Sequence, residues 1–185
     1  MFTLQTKKPT GSADEAYVFL DGEEDIGEEG WPKGWYLDDY ETFGTKTFAA
    51  GEGFLLYTSL TGATLTYSGE VLTGPIEIPL VNGFSLESNP RPVALNIQNI
   101  IPVNADGEVE YGGVFTLQTK LATGSADEAY VFLDGEEDIG EEGWPKGWYL
   151  DDYETFGTKT FNPGEGFLMY TSLTGAKLTF AKMAL

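Results

Sequence analysis

The sequence contains one long stretch twice, and this duplication constrains its fold more than any other feature. Residues 2–67, which we call copy one, recur without a gap as residues 115–180, which we call copy two. The differing positions are Lys8/Leu121, Pro9/Ala122, Ala49/Asn162, Ala50/Pro163, Leu56/Met169, Thr64/Lys177 and Tyr67/Phe180. Stretches this similar are expected to form the same strands and turns.

The repeat divides the chain into three parts. Residues 1–69 carry copy one, residues 114–185 carry copy two, and residues 70–113 form an intervening segment that completes a period of 113 residues. A copy alone, at roughly 65 residues, is near the size at which apolar burial becomes marginal for folding. We therefore expect the copies to depend on each other or on the intervening segment, as the units of tandem repeats do.

Short apolar, aromatic and β-branched runs bounded by turn residues predict β-strands throughout the chain. The predicted strands are 2–7, 16–20, 45–48, 53–59, 63–67, 76–80, 83–88 and 93–97. Of these, 53–59 and 63–67 are expected to form a hairpin, and a turn is expected at 49–51 because copy two has Asn-Pro-Gly there. Residues 97–101 are also compatible with one helical turn.

The fold class follows from what the apolar pattern lacks. No stretch places apolar residues at i, i+3, i+4 and i+7 over three turns, whereas short strands recur at intervals of about ten residues. The sequence therefore predicts an all-β protein. We expect antiparallel β-sandwich or barrel-like modules, arranged as an internal tandem repeat with pseudo-symmetry.

The chain is strongly acidic, with 30 acidic and 10 basic residues and a formal charge of −20. Such a charge repels phosphate backbones and anionic lipid surfaces, so we expect no nucleic-acid partner and no membrane insertion. The charge also destabilises the compact state through self-repulsion, which bound cations or salt would reduce. A divalent cation, Ca²⁺, is the cofactor that the composition favours.

Cysteine and histidine are both absent from the sequence. Thiol nucleophiles, disulfides, imidazole bases and the usual zinc or haem ligands are therefore excluded. The polar start of the chain has neither a signal peptide nor a membrane span. We expect an extracellular or cell-surface protein whose leader has been removed, with a cytoplasmic location as the alternative.

Each copy contains an acidic stretch with the hard oxygen ligands that Ca²⁺ prefers. The alternating acids resemble the start of an EF-hand loop, but Ile26 and Pro32 occupy positions where that loop needs Gly and Glu. The alternative is a solvated acidic loop. The candidate metal ligands are Asp21, Glu23, Asp25, Asp38, Asp39, Asp134, Glu136, Asp138, Asp151 and Asp152.

An aromatic cluster follows each acidic stretch. Exposed Trp and Tyr rings can stack on sugar rings while nearby carboxylates and amides bind hydroxyl groups. The alternative, which we favour for Trp35, is that these rings belong to the core of a small sheet. The candidate ligand-binding residues are Trp31, Trp35, Tyr36, Trp144, Trp148 and Tyr149.

Catalysis is not expected from this sequence. Glycoside hydrolysis needs one acid and one base or nucleophile flanking a cleft, and no pair of carboxylates is singled out here. Glycine-rich phosphate loops of the Walker or dinucleotide type are also absent from the sequence. A glycosidase is therefore the least favoured of three functional classes, after a structural protein and a carbohydrate-binding or adhesion module.

Three short motifs carry a resemblance to known proteins. Gly34–Tyr36, the strand Gly51–Leu55 and the exit Leu65–Val71 are similar to the β-rich tandem-repeat modules of secreted and surface-displayed bacterial proteins. This resemblance covers most of the chain but identifies no single family. It implies an extracellular, structural or adhesive role.

The expected function is that of a non-catalytic repeat protein that self-assembles into a fibre, sheath or surface layer, with glycans as the alternative partners. Copy one is followed by the intervening segment and copy two is not. We therefore expect copy two to be the incomplete unit, whose exposed end contacts the start of the next molecule. Such a heterologous contact produces filaments when it does not close into a ring.

Overall fold

The fold was analysed in a computed structural model of the chain. The structure describes residues 2–7, 13–22, 32–66, 70–109, 114–121, 125–135 and 145–182. Over these ranges the protein is all-β with several antiparallel sheets, as the sequence predicts. None of the helical structure in the described ranges has the length and apolarity needed to cross a membrane.

Most of the described chain lies in short strands. They are β1 (Phe2–Lys7), β2 (Ala13–Leu20), β3 (Gly34–Leu37), β4 (Leu55–Thr58), β5 (Ile76–Pro79), β6 (Gly83–Ser88), β7 (Leu95–Asn96), β8 (Ile100–Val103), β9 (Phe115–Lys120), β10 (Ala126–Leu133), β11 (Gly147–Leu150), β12 (Thr160–Phe161), β13 (Gly166–Thr171) and β14 (Lys177–Phe180). One 3₁₀ turn, Ile97–Asn99, lies at the predicted helical turn and is capped by the Asn96 side chain.

Copy one forms a four-stranded antiparallel sheet in the order β3-β2-β1-β4. The register of β1 with β2 shifts after Gln5, and the Thr6 hydroxyl accepts a hydrogen bond of 3.0 Å from the Glu15 amide at that point. In copy two, Thr119 accepts the equivalent bond from Glu128 at 2.9 Å. The side chain thus satisfies an amide that the shifted ladder does not pair.

Copy two forms the corresponding strands and adds one from the intervening segment. Its sheet has the order β11-β10-β9-β13-β6, and β6 pairs with β13 along six residues, from Gly83↔Thr171 to Ser88↔Gly166. Two further sheets also combine the two parts, with β14 between β5 and β8 and with β7 paired to β12. The intervening segment is therefore paired with the copy that follows it.

This pairing reverses one expectation from the sequence. We expected copy two to be the incomplete unit because no intervening segment follows it. That expectation is wrong, because β5 to β8 supply their paired edges to copy two. Copy one is the unit that the described part of the intervening segment leaves largely uncovered.

The main core is built jointly by copy two and the intervening segment. Ile76, Ile78, Ile97 and Ile100 of the segment pack in one cluster of buried side chains with ten large apolar residues of copy two, Phe180 among them. The other nine are Phe115, Leu117, Tyr130, Phe132, Trp148, Phe161, Phe167, Met169 and Leu178. Much smaller clusters lie on the opposite faces of the two sheets, formed by Val18, Leu20 and Tyr36 and by Val131, Leu133 and Tyr149.

Two strand predictions for copy one are wrong, and copy two explains why. Residues 45–48 form no strand, whereas the equivalent Thr160–Phe161 is β12, which pairs with β7. Residues 63–66 likewise form no strand, whereas β14 (Lys177–Phe180) lies at the positions equivalent to 64–67. The predicted hairpin is wrong in both copies, because β13 and β14 belong to different sheets. Strand formation here depends on a partner that is present only once.

A buried polar cluster joins the intervening segment to copy two. Arg91 is buried and donates to the carbonyl oxygens of Leu72 at 2.6 Å, Phe180 at 3.1 Å and Ala181 at 2.6 Å. The buried Asn89 side chain donates to the Phe161 carbonyl at 3.0 Å and accepts from the Arg91 amide at 2.9 Å. Because buried polar groups are costly unless they are paired, this cluster fixes how the two parts meet.

Arg91 is therefore expected to be important for stability. Arg91→Ala leaves three carbonyl oxygens without their donor and is expected to lower the free energy of unfolding by about 1–3 kcal/mol. Urea unfolding followed by circular dichroism measures this change. Lys120→Ala, which truncates an exposed basic side chain, is the control and is expected to have little effect. Equal loss in both variants would contradict the assigned role.

Candidate functional site

The structure describes only part of the predicted cation site. Glu23, Asp25, Glu136 and Asp138 lie outside the described residues. Asp21 is exposed and Asp134 partly buried where the described chain stops, and Asp38 and Asp151 are exposed. Within the described ranges, no three acidic residues are grouped so that they could hold a metal ion. Cation binding by the acidic stretches therefore stays a prediction.

Two of the predicted metal ligands are engaged in local turns. The Asp39 carboxylate accepts hydrogen bonds from the Glu41 amide at 2.9 Å, the Thr42 amide at 2.8 Å and the Thr42 hydroxyl at 2.6 Å. Asp152 makes the same three bonds in copy two. These bonds lower the pKa of both carboxyl groups; the bond from the threonine hydroxyl has the largest effect, and the bonds from the backbone amides add to it. Their oxygens stabilise a turn that precedes the next strand.

The predicted aromatic residues differ between the copies. Trp31 and Trp144 lie outside the described residues, so sugar stacking by them stays a prediction. Tyr36, Tyr149 and Trp148 are buried, whereas Trp35 is only half-buried. The buried rings agree with the core alternative and offer no exposed stacking surface. Trp35 and Trp148 occupy identical local sequences, so their different burial has a cause outside the copy.

That cause is visible on one face of the copy-one sheet, where Leu4 and Tyr17 are buried but the surrounding apolar residues are more exposed than their equivalents in copy two. Phe48 is 37% exposed and its equivalent Phe161 is 0% exposed. The same contrast holds for Leu56 at 38% against Met169 at 0%, and for Leu65 at 39% against Leu178 at 0%. Phe2, Phe19, Trp35, Phe48, Leu56 and Leu65 form what we call the copy-one face. The equivalent residues of copy two are covered by the intervening segment.

The copy-one face keeps the local geometry of its covered equivalent. The rings of Phe48 and Phe54 lie 5.0 Å apart at 50°, and those of Phe161 and Phe167 lie 4.9 Å apart at 49°. Trp35 contacts Phe19 edge-on at 5.3 Å, much as Trp148 contacts Phe132 at 5.1 Å. The aromatic side chains of the copy-one face therefore adopt the covered arrangement without a covering segment.

Gln98 shows how the covering element is held on copy two. Its side-chain amide donates to the carbonyls of Trp148 at 2.8 Å and Gly157 at 2.7 Å, and its oxygen accepts from the Trp148 amide at 2.9 Å. The Trp148 indole then donates to the Ile100 carbonyl at 2.7 Å. No described residue accepts a hydrogen bond from the equivalent indole of Trp35. The intervening segment thus binds both backbone and side chain at this position.

Within the described ranges, copy one makes backbone hydrogen bonds to the outer edge of β6, and Gly51 packs against Ile78 of β5. The Gly53 amide donates to the Leu86 carbonyl at 2.8 Å, and the Ser88 amide donates to the Gly51 carbonyl at 2.7 Å. A side chain at Gly53 would come within 2.9 Å of the Glu87 carbonyl, so the approach requires glycine. This junction is short, and it leaves the copy-one face open.

A buried carboxyl group lies at the same junction. Glu87 pairs with Phe167 of β13 on one side and forms a bridge with Glu52 of copy one on the other. Burial raises the pKa of Glu87 to about 8, with a hydrogen bond from Ser85 opposing the shift and the Glu52 charge adding to it. Asp14, Lys46 and Glu52 line the adjoining cleft. Glu87 therefore holds its proton at neutral pH.

Sequence reasoning missed the residues that hold the two parts together. Asn89 and Arg91 stand in an Asn-Pro-Arg-Pro stretch that we interpreted only as a break between strands, and Gln98 carried no signal at all. One clue was available, because Arg91 is the single arginine of the sequence. Arginine is the residue best suited to several carbonyl acceptors at once.

Comparison of the chain with protein-family models, with curated proteins and with solved structures finds no match to any of them. The site is therefore interpreted from its own geometry.

The two tryptophans provide a matched test of the covering. Trp148→Phe removes a buried hydrogen bond to Ile100 and is expected to lower the free energy of unfolding by about 1–3 kcal/mol. Trp35→Phe changes the same local sequence where no segment covers it, and a loss below about 1 kcal/mol is expected. Urea unfolding of both variants measures the difference. Equal losses would mean that the covering contributes nothing at this position.

The buried carboxyl group predicts a pH dependence with a definite sign. Folded Glu87 titrates at about 8 and unfolded Glu87 at about 4.5, so the folded state binds more protons between these values. Because of this difference, the contribution of Glu87 to the free energy of unfolding is highest below pH 4.5, where Glu87 is protonated in both states, and it falls as the pH rises towards 8. Glu87→Gln removes the titration, so its melting temperature relative to the original protein is expected to increase over that range. A difference that is constant with pH would contradict the assignment.

Proposed function

We propose that the chain is a non-catalytic, extracellular structural repeat protein that self-associates into a fibre, sheath or surface layer through the copy-one face. One observation carries the proposal: Phe48, Leu56 and Leu65 are exposed on copy one, whereas their equivalents in copy two are fully buried. Exposed apolar surface that is already shaped for packing favours an interaction site. A repeat protein whose units need covering is suited to assembly rather than to chemistry.

The proposal extends to the architecture of the repeat. Each 113-residue period would form one sandwich-like or barrel-like module from an intervening segment and the copy that follows it, related to the next by pseudo-symmetry. The pairing of a five-stranded and a three-stranded sheet with one shared core supports this arrangement. Copy one is then the half-module from which association starts.

Association is expected to be heterologous. The copy-one face has no exposed counterpart on copy two, because the intervening segment covers that side. A contact between the copy-one face and a different surface of the next molecule does not close by two-fold symmetry, and it adds molecules in a row. A heterologous contact of this kind gives fibres, whereas pairing of two copy-one faces would give a closed dimer.

Self-association gives a direct test of the proposed function. The mass in light scattering after size exclusion is expected to rise above the 20.2 kDa of one chain as concentration increases. Leu56→Asp places a charge in the copy-one face and is expected to shift the population to the monomer. Leu121→Asp, at an exposed leucine of copy two outside the face, is the matched control.

A chain that stays monomeric at every concentration would contradict the proposal. So would association that Leu56→Asp and Leu121→Asp weaken equally, because the contact would then not involve the copy-one face.

A further inference from the structure

Copy two provides an internal template for what covers this fold. Its face is covered by β5, β6, β7, β8 and the turn Ile97–Asn99, all from residues 70–109. Copy one has almost the same sequence and the same geometry of aromatic pairs. Its strands β3-β2-β1-β4 correspond to β11-β10-β9-β13 of copy two. The covering element of copy one can therefore be identified by chemistry rather than left open.

We propose that the copy-one face binds a polypeptide segment with the strand pattern of residues 70–109, supplied by another repeat unit. The proposal rests on the copy-one face being an association surface, as in the proposed function, and it names the partner. The segment would add a strand beside β4 and place its isoleucines on Phe48, Leu56 and Leu65. This is β-strand addition, in which backbone hydrogen bonds give affinity and side-chain positions give register.

The polar anchor for such a segment is already in place on copy one. On copy two, Gln98 binds the backbone of Trp148 and Gly157, and the Gly157 amide donates to the Trp148 carbonyl at 2.8 Å. On copy one the Gly44 amide donates to the Trp35 carbonyl at the same 2.8 Å. The glutamine of an incoming segment thus meets the same backbone arrangement.

The residues that differ between the copies do not remove this site. Leu56 replaces Met169 with a side chain of similar size and apolar character. Thr64 replaces Lys177, which loses an exposed ion pair of 3.0 Å to Glu77. Exposed ion pairs contribute little, so the recognition chemistry is retained.

Docking has one local cost. Gly51 and Gly53 of copy one bond the outer edge of β6, and an incoming segment that pairs with β4 replaces these two hydrogen bonds. The two bonds are few compared with the ladder that β6 makes on β13. Binding should therefore free the Ser88 amide of the host chain while it protects the amides of copy one.

The segment can be tested apart from the copy that follows it. Residues 70–109 are joined to copy two in the chain and already cover that copy. A synthetic peptide of residues 70–109 provides the same segment without copy two.

The test is the binding of the labelled 70–109 peptide to the full chain, measured by fluorescence anisotropy. Saturable one-to-one binding is expected, and Leu56→Asp is expected to weaken it by about tenfold or more. Leu65→Asp lies outside any strand and provides a second variant in the face, while Leu121→Asp is the matched control that should bind normally. A peptide with Gln98→Ala should bind more weakly than the original.

Hydrogen exchange locates the bound peptide. The amides of Trp35 and of residues 47–48 should gain protection, because the equivalent positions of copy two contact the segment. The Ser88 amide should lose protection, because its bond to Gly51 is replaced. The segment tethered to copy two acts at an effective concentration of about millimolar, so micromolar peptide should leave copy two occupied. Protection changes confined to copy two would overturn the proposal.

The result separates this inference from the proposed function. Absence of peptide binding by a chain that self-associates through the copy-one face overturns the inference and leaves the proposed function standing. Peptide binding by a chain that stays monomeric supports the inference and overturns the proposed function. Binding that is unchanged in both Leu56→Asp and Leu65→Asp overturns the inference.

Discussion

The structure depends on a simple constraint: a strand is stable when its backbone groups are paired. The described residues hold one covering segment for two copies that can use it. Residues 76–103 pair with copy two in three separate sheets. The same local sequences in copy one stay without the matching strands at 45–48 and 63–66. Secondary structure at these positions is thus set by tertiary pairing, because intrinsic β-propensity is a weak preference.

Charge makes this dependence more severe. At −20, the chain is under self-repulsion that a larger apolar core must offset. Copy two meets this need by sharing its core with the segment, and it anchors that core with the buried Asn89 and Arg91. Copy one has only a four-stranded sheet with a small cluster on one face. Its exposed apolar face and its short junction at Glu87 both result from the lack of a covering segment.

The sequence predicted the all-β class, strands β1, β2, β5 and β6 and the turn at 49–51, because each follows from alternation and turn residues within a short window. It did not predict which copy the segment would cover, since both copies present the same residues. The candidate site was missed for the same reason: Leu56 and Met169 look equivalent until their neighbours are known. Gln98 and Arg91 act on backbone carbonyls, which no side-chain pattern reveals.

The contacts of Gln98 have a consequence for how such repeats can diverge. Its amide is bonded to main-chain atoms of Trp148 and Gly157, and the approach requires glycine at 147, where a side chain would meet the Gln98 oxygen. A segment that is aligned by main-chain atoms tolerates substitutions in the copy that it covers, provided that apolar volume and the glycines at 147 and 157 are kept. Successive periods could therefore vary in surface chemistry while one alignment rule joins them all.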